Sequence, residues 1–163
     1  MANTTLIKKH MIVPFLKDGE NYVQIKKATE FTRSMNPVTE EREYISDESA
    51  TTEVTNYKPS EALSITTYDG EPDFDLFYKL YKERAIGSAA KKEFLIVYKF
   101  KATESGSDTY FEAEKTEATV VVNEFNASGS ALSITVNENG TPTNGFVHFV
   151  EGAPVFVEAI PSA

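Results

Sequence analysis

Cysteine and tryptophan are both absent from the 163 residues of this chain. Without cysteine there is no disulfide framework, no thiol nucleophile and no cysteine-based zinc site. The usual stabiliser of small secreted folds is missing too. Without tryptophan the chain lacks the largest aromatic platform that sugar-binding clefts commonly offer. Histidine occurs twice, at His10 and His148, and neither falls in a metal-ligand or general-base motif. There is no Gly-x-Ser-x-Gly elbow, phosphate-cradling glycine loop or dinucleotide fingerprint. Long apolar runs are lacking as well. "MIVPFL", residues 11–16, is interrupted by Pro14, too short and broken for a signal core or a membrane span. No targeting segment is visible, so the Asn-x-Ser/Thr sequons at Asn3, Asn126 and Asn139 carry no weight.

Positive charge is also scarce. Sixteen bases against 25 acids leave a formal charge of −9. A protein that grips nucleic acid by its phosphates needs the opposite sign, and no basic cluster interleaved with aromatics is present. Carboxylates are plentiful, and glycoside hydrolysis needs only two flanking a cleft. The available pairs, Glu40-Glu41 and Glu112/Glu114, lie in polar strand or loop contexts that read as solvated faces. "SDES", residues 46–49, lacks the oxygen-ligand spacing of an EF-hand loop. The residues therefore support no enzyme, metal site or cofactor.

What is there is β-rich. A chain of this length reads as one domain, 1–163, able to bury roughly two thirds of its unfolded surface. An N-terminal segment, 1–21, ends at the Asp18-Gly19 turn signal. "YVQIKKATEFTR" alternates, with Val23, Ile25, Thr29 and Phe31 opposite Gln24, Lys26, Glu30 and Thr32, and predicts one half-solvated strand. Residues 34–60 are long, polar and acidic, an unusual connection in a compact domain, and predict a protruding two-stranded arm. "EFLIVYKFKA" is apolar on both faces, which predicts an interior strand. "TYFEAEKTEATVVVNEF" is the longest β-rich run, and "ALSITVNENGTPTNGFVHFVEG" predicts two strands around an Asn139-Gly140 turn. A short strand, "PVFVEA", lies in the C-terminal segment 151–163. Seven or eight strands and no βαβ rhythm predict a mainly β protein, an antiparallel sandwich or barrel with one flanking helix.

That helix is expected at about 73–86. Pro72 suits its first position, Asp73 and Asp75 its first turn, Lys79, Lys82 and Arg84 its end, and Gly87 its stop. At about 100° per residue, Phe74, Phe77, Tyr78, Tyr81 and Ala85 form one apolar stripe, while Leu76 and Leu80 occupy another sector. A surface helix of a monomer needs only one such stripe. The second stripe, Leu76 and Leu80, is therefore expected either to lie under a loop, with the helix clamped between sheet and loop, or to meet another subunit.

Three ordered pieces resemble the major tail protein, or tail tube protein, of long-tailed phages and prophages of Gram-positive bacteria. They are "YISDESATTEVTNYKPS" (44–60), "DFDLFYKLYKERAIG" (73–87) and "VVVNEFNASGSALSITVNENGTPTNGFVHF" (120–149). The resemblance covers most of residues 10–150. It implies a structural virion protein: β-sandwich subunits forming six-membered rings, stacked into a hollow tube through which DNA passes without specific binding. Partners would be further copies of the chain, with tape-measure and tail-terminator or initiator proteins, and the location the virion tail, with no membrane. The arm would reach from ring to ring through Glu43, Tyr44, Ile45, Asp47, Glu48, Glu53 and Tyr57. Glu30, Glu43, Glu112 and Glu114 are expected to face the lumen, where acids keep phosphates from adhering. The alternative is a monomeric β-sandwich binding module that recognises a sugar or protein through the 34–60 arm.

Overall fold

A computed structural model of the chain describes residues 4–161. Asn3 and the outermost residues of the two expected terminal segments lie outside them. The described residues form ten strands and one α-helix. The strands are β1 (Ile12–Asp18), β2 (Asn21–Gln24), β3 (Ala28–Ser34), β4 (Pro37–Arg42) and β5 (Thr51–Tyr57), then β6 (Ser60–Thr66), β7 (Lys91–Ser105), β8 (Asp108–Asn126), β9 (Ala131–Val150) and β10 (Ala153–Val157). The helix α1 (Pro72–Glu83) lies between β6 and β7. Every strand pair is antiparallel, and the main sheet runs β2-β1-β7-β8-β9-β6-β3, with β10 added to β9. This is the mainly β, one-helix architecture the patterning predicts.

The run expected as one strand from Tyr22 to Arg33 is instead two, at opposite ends of the sheet order. β2 pairs with β1, β3 pairs with β6, and only Ile25, Lys26 and Lys27 separate them. A connection this short brings the two ends of the sheet together, so the sheet curls into a nearly closed barrel. The break is held by Asp73 in the first turn of α1. Its Oδ2 accepts the backbone N–H groups of Lys26 and Lys27 at 3.1 and 3.0 Å. Asp73 is therefore a buried tertiary clamp as well as a favourable charge at a helix start.

Two apolar clusters lie on opposite faces of the sheet, and β7 serves both. Phe94 and Ile96 point into the larger cluster, with Leu16, Leu63, Ile65, Ala118, Val120, Leu132, Ile134 and Val136. Leu95 and Val97 point into the smaller one, with Val13, Phe15, Ala113 and Val147. All four β7 side chains are buried, as expected for an interior strand.

The Asn139-Gly140 pair does not turn the chain. β9 runs on through it, because Glu138 and Asn144 both pair with the same partner, β8, opposite Ala118 and Glu114. The residues between form a bulge, with Gly140 at φ +73° and Pro142 donating nothing to the ladder. The turn that does follow is Glu151-Gly152, where two consecutive positive φ values reverse β9 into β10.

Candidate interaction surfaces

The helix ends earlier than expected. Its left-handed cap is Arg84, at φ 48°, three residues before Gly87, which is itself at φ +59°. The N–H of Ala85 returns to the Leu80 carbonyl and that of Arg84 to Tyr81, which closes the last turn without a glycine. The apolar stripes also differ from expectation, because the second one is buried and Phe77 of the first is buried with it. Leu76 and Leu80, expected under a loop or against a neighbour, lie with Phe77 in the chain's own larger cluster. The exposed stripe is Tyr78 and Tyr81 with half-buried Phe74. Leucine carries no polar atom to leave unpartnered in a core, whereas each tyrosine keeps its hydroxyl in water here.

These aromatics form a continuous patch with Phe125 of β8. Ring centroids are 5.7 Å apart for Phe74–Tyr78, 6.3 Å for Tyr78–Tyr81, 5.5 Å for Tyr81–Phe125 and 6.2 Å for Phe74–Phe125. Ile86, 83% exposed, and the exposed Val121 extend the apolar surface beside the end of α1. Contiguous apolar surface of this kind marks a protein-binding face more often than scattered single residues do.

The arm is the second surface. β4 and β5 pair only with each other, as the protruding two-stranded arm predicts. Every residue of β4 is exposed. Glu43, Tyr44, Ile45, Asp47 and Glu48 lie in the exposed loop, and Glu53 and Tyr57 lie on β5. Arg42 bridges Glu40 and Glu53 at 3.2 and 3.5 Å, but such exposed pairs contribute little. A two-stranded hairpin without a core is marginal in water.

The third feature is a charged cluster inside the barrel at the arm's root. Arg33 of β3 donates two bonds to the Glu138 carboxylate, at 3.1 and 3.0 Å, and one to Glu114 at 2.6 Å. It also donates to the Tyr98 hydroxyl at 2.9 Å, which in turn donates to Glu114 at 3.0 Å. Glu61 of β6 is fully buried beside them. Its Oε1 is 3.1 Å from Arg33 Nε, but that N–H is spent on Glu138, and neither Glu61 oxygen has a hydrogen-bond partner. Burial, reinforced by Glu138, pushes the Glu61 carboxyl up to about 9. Burial and Glu114 push Tyr98 up to about 12.

The acids expected at a lumen are not gathered on one element. Glu30 is exposed on β3, Glu43 lies in the arm loop, and Glu112 and Glu114 are alternate residues of β8. Glu114 is half-buried and its charge is answered by Arg33. Sequence reading had no signal for Glu61, Glu138 or Arg33, which are far apart along the chain and meet only through strand pairing. Among the described residues no group of acids and histidines is arranged to hold a metal ion, and no helix is long and apolar enough to cross a membrane. His148 packs its ring on Tyr110, with centroids 4.9 Å apart, and its Nδ1 is buried without a hydrogen-bond partner.

No family model and no curated protein matches the chain. Solved structures do. The fold is similar to a chain of the tube-terminating cap of the anti-feeding prophage, with a TM-score of 0.55 and 16% identity, over 88% of this chain and 93% of that one. It is also similar to a chain of the sheath-tube complex of an extracellular contractile injection system in its extended state. There the TM-score is 0.52 and the identity 10%, again over 88% and 93%. At these identities the likeness is one of fold, and the chain has the fold of tail-tube-type assembly components.

Proposed function

We infer that the chain is a non-enzymatic structural subunit of a phage-tail-type tube, needing no cofactor. The observation that carries this reading is the pairing of a tail-component fold over nearly the whole chain with two surfaces it leaves uncovered. In this reading subunits join side by side into rings, six to a ring, and the rings stack into a hollow conduit for DNA. The aromatic patch of Phe74, Tyr78, Tyr81 and Phe125 takes the role first expected of Leu76 and Leu80 and packs on the neighbouring subunit. β3 offers its free edge in the same contact, since an unpaired edge is a template for another strand. The arm, with Tyr44, Ile45 and Tyr57 exposed, reaches to the next ring. Glu30, Glu43 and Glu112 supply the lumen's negative charge, acting only within about 10 Å at 0.1 M salt. Partners are further copies of this chain, with tape-measure and terminator or initiator proteins at the ends, in a virion tail.

Sedimentation velocity on a concentration series tests the reading. The wild-type protein should form large species, and the double substitution Tyr78→Glu, Tyr81→Glu should hold it near 18.1 kDa with its fold intact. A wild-type chain that stays monomeric and binds a sugar or peptide saturably through the arm would replace this reading with that of a binding module.

A further inference from the structure

Arg33 and Glu61 face each other across β3 and β6, one step before Ser34 and Ser60, the last paired residues before the chain leaves for the arm. The root is tied to the same elements. The Glu138 N–H donates to the Pro59 carbonyl at 3.0 Å, and Asn36 Nδ2 donates to the Lys58 carbonyl and Ser60 Oγ. The residues that position the arm are therefore those that carry the charged cluster or adjoin it.

That cluster is unbalanced. Facing Glu61 are Arg33 from β3, Glu138 from β9, Glu114 from β8 and, beyond Glu114, Tyr98 from β7. One guanidinium cannot neutralise three carboxylates, and Glu61 and Glu138 are both almost wholly excluded from solvent. As two carboxylates they repel and can form no hydrogen bond with each other, since each only accepts. A single proton changes this, because a protonated carboxyl is a donor.

We propose that Glu61 carries a proton and donates it in a hydrogen bond to the Glu138 carboxylate, and that this proton latches the root of the arm to the barrel. When it is lost, two like charges oppose each other beneath Ser34 and Ser60, and the arm is released from a fixed pose. The upward shift of Glu61 to about 9 fits a latch that is closed at neutral pH and opens in mild alkali. The latch concerns the arm's hold on its own body and does not depend on what the arm later meets.

Two readouts test it on the full chain. Infrared spectroscopy should find the carbonyl stretch of a protonated carboxylic acid at neutral pH, disappearing in alkali and absent from Glu61→Gln. Amide hydrogen exchange, corrected for its intrinsic pH dependence, should speed up at Lys58 and Glu138 by about tenfold between about pH 7.5 and pH 10. In Glu61→Gln the same change should stay below about twofold, because glutamine cannot ionise. The proposal fails if the acid band is missing at neutral pH, or if exchange follows the same curve in both proteins. Should Glu61→Gln not fold, the wild-type protein still decides: coincident midpoints for the acid band and root exchange support the latch, and separated midpoints overturn it.

Discussion

At the helix end of the barrel, Leu76, Phe77 and Leu80 close the interior with apolar side chains that need no partners. At the arm end, Arg33, Glu61, Glu114 and Glu138 occupy the same inner face. One strand shows both solutions: along β6, Ile65 and Leu63 are core, and Glu61, next in the same row, is charge. The apolar end derives its stability from area removed from water and is indifferent to pH. The charged end holds its geometry only while protons and the guanidinium balance the carboxylates. A rigid closure and a conditional one thus sit at opposite ends of one interior, and the conditional one lies beneath the element that protrudes.

The largest losses of stability are expected at the helix end. Phe77→Ala empties a fully buried site and should lower the unfolding free energy by about 3–5 kcal/mol in urea titration. Asp73→Ala comes next. It strips the N–H groups of Lys26 and Lys27 of their acceptor, should cost about 2–3 kcal/mol, and should speed hydrogen exchange at those two amides above all. Gly145→Ala should cost about 1–3 kcal/mol, because a Cβ there would lie 2.5 Å from the Phe156 ring and the Val157 carbonyl. Exchange protection should then fall in β10 before it falls in β7.

The charged end should respond with the opposite sign. A carboxyl near its usual value in the unfolded chain and raised to about 9 in the fold makes folding take up a proton above about pH 4.5. The stability associated with Glu61 is thus fully present in acid and declines as pH rises through neutrality toward 9. Glu61→Gln should stabilise the protein by about 1–2 kcal/mol at pH 8 and change it little at pH 4, measured by urea titration at both. Smallest in stability is Tyr81→Glu, expected to move the unfolding free energy by less than about 0.5 kcal/mol. Its effect should fall on assembly.

The fold class, the two-faced β7 and the protruding arm were legible in the sequence because each is a local pattern of alternation or its loss. The break at Ile25–Lys27 was not, because Val23, Ile25 and Phe31 keep the alternation of one strand across it. What breaks the strand is Asp73, 46 residues further on. The same residue disguised the buried stripe of α1. An acid placed only by its fit to a helix start is buried with Leu76 and Phe77, and its burial is made possible by two backbone donors that no helical periodicity reveals. The Asn-Gly pair at 139–140 carries the chemistry of a hairpin, but β8 has length enough to pair both sides of it, so it becomes a bulge. The charged cluster draws on five strands and leaves no mark on any one of them.

Assembly into a tube is tested by negative-stain electron microscopy of the purified protein at high concentration, beside light scattering on a dilution series. Hollow tubes or closed rings are expected, and they should vanish in Tyr78→Glu, Tyr81→Glu. A uniform 18.1 kDa particle at every concentration, with the arm's amides already protected from exchange, would contradict tube assembly.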